Sequence, residues 1–87
     1  MKSKKVTIIN PTGLHLRPAG LFCKTALDFE CRITFHHKDT EGNAKSVLSV
    51  LGACVKSGDE IEIICEGKDE AAALEAMIEI VESGLGE

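Results

Sequence analysis

The chain has no tryptophan and no tyrosine, and its 87 residues include only three phenylalanines. With 44% of residues apolar and 3% aromatic, any core must be mainly aliphatic. There is no Cys-X-X-Cys pair. Cys23, Cys31, Cys54 and Cys65 are widely spaced, each within an apolar pattern, which argues against a disulfide framework and against structural zinc. The absence of a long apolar run and of a signal-peptide pattern gives the reading of a cytoplasmic protein, not inserted in a membrane, with reduced thiols packed as small hydrophobes. Positive charge is also short. Ten Lys and Arg stand against 14 Asp and Glu, a net charge of -4 that disfavours a nucleic-acid binder, because phosphate backbones demand basic patches. The length allows one small domain, residues 1–87, with no repeat, linker or low-complexity segment.

What is present is a series of short elements joined by turns. "KKVTII", Lys4 to Ile9, alternates Val6 and Ile8 against Lys5 and Thr7, the period of a half-buried strand, and runs into the turn residues Asn10-Pro11-Thr12-Gly13. From Leu16 to about Leu27, Ala19, Phe22, Cys23 and Ala26 repeat at helical spacing. Pro18 is compatible with that helix only in its first turn, which places the helix start near His15. "CRITFHH" alternates as a second strand, with Cys31, Ile33 and Phe35 inward and Arg32, Thr34 and His36 outward. A short third strand is expected near Asn43 and Ala44, after a reversal at either Lys38-Asp39 or Glu41-Gly42. Ser46 sits at the N-cap of a short helix carrying Val47, Leu48, Val50 and Leu51. "EIEIIC" makes a fourth strand, and Asp69 to Glu82 a last helix with Leu74, Met77, Ile78 and Val81 on one face and Gly84 past its end. Strands with one apolar face are covered on that face alone. The order βαββαβα therefore predicts an α+β open-faced sandwich, a four-stranded mainly antiparallel sheet with three helices on one face.

The most unusual placement is His15 in "NPTGLHLRP". A helix N-terminus leaves N–H groups unpaired and attracts negative charge, so it is a poor seat for a resting imidazolium and a good one for an anion beside a neutral, nucleophilic ring. Arg17, two residues on, adds donors for a phosphate. A lone histidine in such a place is most often a cap or a packing residue. Here Leu14 and Leu16 flank it as an apolar rim, which points to docking. Other groups read more plainly. His36, His37 and Asp39 do not form a metal site, because adjacent strand residues point to opposite faces, and Glu60, Glu62 and Glu66 read as a solvated strand face. No metal or cofactor is expected.

"GLHLRPAG", "AKSVLSVL" and the final "SGLGE" together resemble the HPr family, the histidine phosphocarriers of the bacterial phosphoenolpyruvate:sugar phosphotransferase system. The likeness spans essentially the whole chain. It implies a carrier, not an enzyme, in which His15 accepts phosphate from Enzyme I on Nδ1 and passes it to sugar-specific enzyme IIA proteins. It further implies that Arg17 stabilises the phosphate, that Thr12 and Pro18 shape the loop, and that the chain is a monomer. Leu16, Val47, Leu48 and Leu51 would form an apolar docking surface. The "AKS" context and "GLGE" ending resemble the branch of the family in which the serine corresponding to Ser46 is phosphorylated by an HPr kinase/phosphorylase. That modification would bring a catabolite-control transcription factor as partner. A purely regulatory HPr-like protein, acting through phospho-Ser46 and such a factor, is the alternative; a transferable His15 is superfluous there. The chain departs from the usual pattern at three places: Leu16 is bulkier than the small or hydroxylated residue common in the family, Cys54 replaces a common glycine, and Lys38-Asp39 replaces an Asn-Gly turn.

Overall fold

In the computed structural model, which describes residues 1–87, the alternating residues of the first segment form β1 (Lys2–Thr7). The strand begins earlier than the apolar alternation alone suggests because Lys2 and Ser3 pair with Cys65 and Ile64. Pairing with the neighbouring segment persists past Thr7 in irregular form, with Ile8 N–H donating to Asp59 O at 2.8 Å and Ile8 O accepting Gly58 N–H at 2.7 Å. The remaining elements are α1 (Leu16–Leu27), β2 (Arg32–His37), β3 (Thr40–Asn43), α2 (Val47–Gly52), β4 (Glu60–Glu66) and α3 (Glu70–Glu82). The sheet order is β1-β4-β2-β3 and every pairing is antiparallel.

The third strand starts at Thr40, and the reversal before it is the two-residue turn Lys38-Asp39, since His37 pairs with Thr40. Lys38 adopts the positive φ, 56°, that such a turn requires of its first central residue. Gly42 is needed for a different reason. It lies opposite Phe35, and a Cβ there would fall onto the Phe35 ring.

All three helices cover one sheet face. α3 packs on β1 and β4, α1 lies against α3 and α2, and α2 meets β3. The core is aliphatic apart from Phe22 of α1 and Phe35 of β2, whose rings meet edge to face at 5.8 Å and 88°. Both are fully buried, so either change to alanine would cost roughly 3–5 kcal/mol. Asp69 occupies the N-cap of α3 but makes no side-chain capping bond to it. Its carboxylate instead accepts the N–H groups of Glu30 and Cys31, at 2.8 and 2.9 Å, and thereby ties the segment before β2 to the beginning of α3. No helix is long and apolar enough to cross a membrane.

Candidate functional site

The segment before α1 is held by backbone and by one distant carboxylate. Asn10, 2% exposed, donates through Nδ2 to Gly13 O at 2.6 Å and to Glu87 Oε1 at 3.0 Å. Thr12 gives its hydroxyl to the same carboxylate, with Oγ1 2.8 and 2.9 Å from the two oxygens, and its N–H lies 3.3 Å from Oε1. These donors hold the Glu87 carboxyl below the usual glutamate range, the Asn10 amide most and Thr12 next, with the nearby Arg17 charge acting in the same direction. Leu14 N–H then donates to Val55 O at 2.9 Å. Gly13 has φ +68°, and a Cβ on it would stand 2.5 Å from that same oxygen, so no larger residue is accommodated without movement. The sequence points to Asn10 only as a turn residue and singles out neither Val55 nor Glu87. The Asn-Pro-Thr-Gly turn chemistry was visible, but a partner as remote along the chain as Glu87 leaves no local pattern.

His15 is the N-cap of α1, with φ -81° and ψ -174°, and it makes no side-chain capping bond. Its carbonyl accepts Ala19 N–H at 2.7 Å while its exposed ring is left without a protein partner. The N–H groups of Leu16 and Arg17 find no acceptor either, and Pro18, the third helical residue, has none to offer. Pro18 is fully buried and fixes the first turn against the core. Arg17 is exposed and forms no ion pair, so the guanidinium carried by the first turn of the same helix is uncommitted. An anion at this helix start meets peptide N–H groups, the positive end of the dipole and a cation together.

The expected apolar rim is half correct. Leu16 is 67% exposed, but Leu14 is 3% exposed and belongs to the core, drawn inward by its bond to Val55. Ser46 is the N-cap of α2, its Oγ accepting Ser49 N–H at 3.3 Å. Behind it Leu48 is 79% exposed and Val47 is at the surface, whereas Leu51 is half-buried against the core and offers less to a partner. The two strand histidines part as the alternation requires. His36 points to the open face, with Nε2 2.9 Å from Glu41, and His37 points inward. Cys54 alone among the thiols is exposed; Cys23, Cys31 and Cys65 are buried.

An exposed helix-start histidine with free amides and a free arginine, carried on an open-faced sandwich of this topology, is a surface able to receive an anion. The family model described as the PTS HPr component phosphorylation site matches residues 2–83. Over all of both chains, the sequence is 35% identical to a phosphocarrier protein HPr of Lysinibacillus sphaericus. It is 38% identical over 82 residues to an HPr-like protein Crh of Halalkalibacterium halodurans, covering 94% of this chain and 98% of that one. A crystal structure of HPr from Thermoanaerobacter tengcongensis superposes with a TM-score of 0.96 at 38% identity, covering 100% of this chain and 98% of the other. The chain belongs to the HPr family: it is a phosphocarrier protein of the phosphotransferase-system type and not a catalytic enzyme.

Proposed function

We propose that residues 1–87 act as one cytoplasmic carrier domain that accepts a phosphoryl group on His15 from Enzyme I and passes it to sugar-specific enzyme IIA proteins. The observation that carries this reading is the exposed, uncapped His15 ring at the start of α1, with the Leu16 and Arg17 amides unpaired beside it. In each transfer one imidazole nitrogen attacks phosphorus, the bond from phosphorus to the donor breaks, and the donor leaves with its electron pair. Arg17 and the helix-start amides stabilise the added negative charge without forming a covalent bond. Thr12 and Pro18 hold the loop, and Leu16, Val47 and Leu48 form the exposed apolar docking surface, with Leu51 supporting it from behind. Such contacts are modest in area because a carrier must leave each partner quickly, and the carrier works as a monomer. Neither a cofactor nor a metal takes part.

Ser46 is the regulatory position. Its phosphorylation by an HPr kinase/phosphorylase places about two negative charges at the N-cap of α2, beside Val47 and Leu48, which hinders Enzyme I docking and creates a surface for a catabolite-control transcription factor. The likeness to the HPr-like protein Crh supports a second reading, in which the chain is purely regulatory and works through phospho-Ser46. A chase experiment separates the two. Protein labelled from phosphoenolpyruvate by Enzyme I should lose the label to an added enzyme IIA protein, and a label that never forms or never leaves would favour the regulatory reading.

A further inference from the structure

Only two polar side chains are buried in this chain, Asn10 and His37. The His37 ring ends β2 on its inward face, with Nδ1 3.1 Å from Ala53 O and Nε2 2.8 Å from Asp59 Oδ2. Both partners are acceptors. A neutral imidazole has one N–H, so the two contacts are both satisfied only when both nitrogens carry protons. The same Asp59 oxygen also accepts Lys56 N–H at 3.0 Å. That amide, then the His37 ring and more weakly the Lys38 charge, hold the Asp59 carboxyl below the usual aspartate range. His37 thus joins the end of α2 to the beginning of β4, bridging the 53–59 connection from one side.

That connection is the seat of the phosphoacceptor turn. Val55 O receives Leu14 N–H, the residue before the helix-capping His15, and the Val55-Lys56 backbone lies so close to Gly13 that a Cβ there would approach Lys56 Cα to 2.8 Å. Cys54, in the same connection, holds φ +54°, a conformation that a residue other than glycine keeps only when its surroundings impose it. The His37 clamp supplies such an imposition at both ends of the segment.

We propose that His37 is a positioning residue for phosphoryl transfer at His15, clamping the 53–59 connection through Ala53 and Asp59 so that Val55 holds Leu14 and the start of α1 in place. Its functional consequence rests on the carrier reading above. The test is His37→Phe, which keeps a buried ring and removes both polar contacts. Amide exchange at Leu14 should quicken by about tenfold, the loss of one moderately strong anchored contact, while Met77 and Ile78 in α3 exchange as in the wild type. Phosphorylation by Enzyme I should show a lower kcat with an unchanged KM. Unchanged Leu14 exchange, or acceleration at Leu14 matched at Met77 and Ile78, would overturn the proposal, the second because it means general destabilisation. If His37→Phe does not fold, the smaller apolar variant His37→Leu also removes both polar contacts, leaves the Lys56 bond to Asp59 in place and is read by the same amides. Should the wild type take no phosphate from Enzyme I, the carrier reading fails, and Leu14 exchange alone decides the clamp.

Discussion

His15 and His37 are the same residue type in opposite circumstances. The first is exposed at a helix start, uncapped, with unpaired amides beside it; the second is buried at a strand end with both ring nitrogens engaged. A ring that receives and gives up a phosphoryl group needs a nitrogen free of competing bonds and a site ready for anionic charge. A ring that fixes two loops needs the reverse. What separates them is the backbone setting, because a strand's alternation carries His37 inward whereas an N-cap carries His15 outward.

The sharpest way to break that contrast is at His15. His15→Ala should abolish phosphate uptake from Enzyme I, while its unfolding free energy stays within about 0.5 kcal/mol of the wild type, as expected for an exposed side chain without protein partners. Residual labelling, or a cooperative loss of stability, would place His15 with His37 as a structural ring. Arg17→Glu tests the anion site around it. Replacing a charged donor by a like charge should slow transfer roughly 10- to 100-fold, measured as the rate of phosphohistidine formation, and wild-type speed would exclude Arg17 as a holder.

The contrast also marks what the sequence revealed. His15 was legible because Pro18 permits only a first-turn position, which fixes the cap, and the open-faced sandwich followed from strands with single apolar faces. Leu14 was misplaced on the rim because its burial depends on Val55, a residue on a distant connection. The Asn10-Thr12-Glu87 cluster and the His37-Asp59 pair are likewise contacts between remote segments, and periodicity reports only a residue's own element. The Lys38-Asp39 turn could not be chosen over Glu41-Gly42, since the glycine there serves the Phe35 ring and not the reversal.

A smaller effect is expected at the second helix start. Ser46→Asp should raise the apparent KM for Enzyme I by about tenfold, the cost of setting a charge beside Val47 and Leu48, and leave circular dichroism unchanged. Ser46→Ala should transfer normally and lose roughly 1 kcal/mol of capping stability in denaturant unfolding. Equal KM values for Ser46→Asp and wild type would leave Ser46 as a cap alone.

Thiol chemistry and acid titration sharpen the difference between buried and open groups without touching transfer. Burial first, and then the bond to Asp69, push the Cys31 thiol up to about 12, and burial also raises Cys65. Titration with a disulfide reagent under native conditions should therefore show one fast thiol, Cys54, and three slow ones. The smallest effect is at Glu87. Its carboxyl lies low in the folded state, so its hold on Thr12 and Asn10 is complete above the ordinary glutamate value of ~4.3 and is lost as pH falls through the lower folded value. The Thr12 amide shift should follow that titration with a midpoint below ~4.3. A midpoint at or above that value would mean that the cluster does not form in solution.

The central claim, that the free ring and not the clamped one carries phosphate, is tested most directly by site mapping after incubation with Enzyme I and labelled phosphoenolpyruvate. The expected result is one acid-labile phosphate per chain, on His15, with none on His36 or His37. Label on either strand histidine, or label undiminished in His15→Ala, would contradict it.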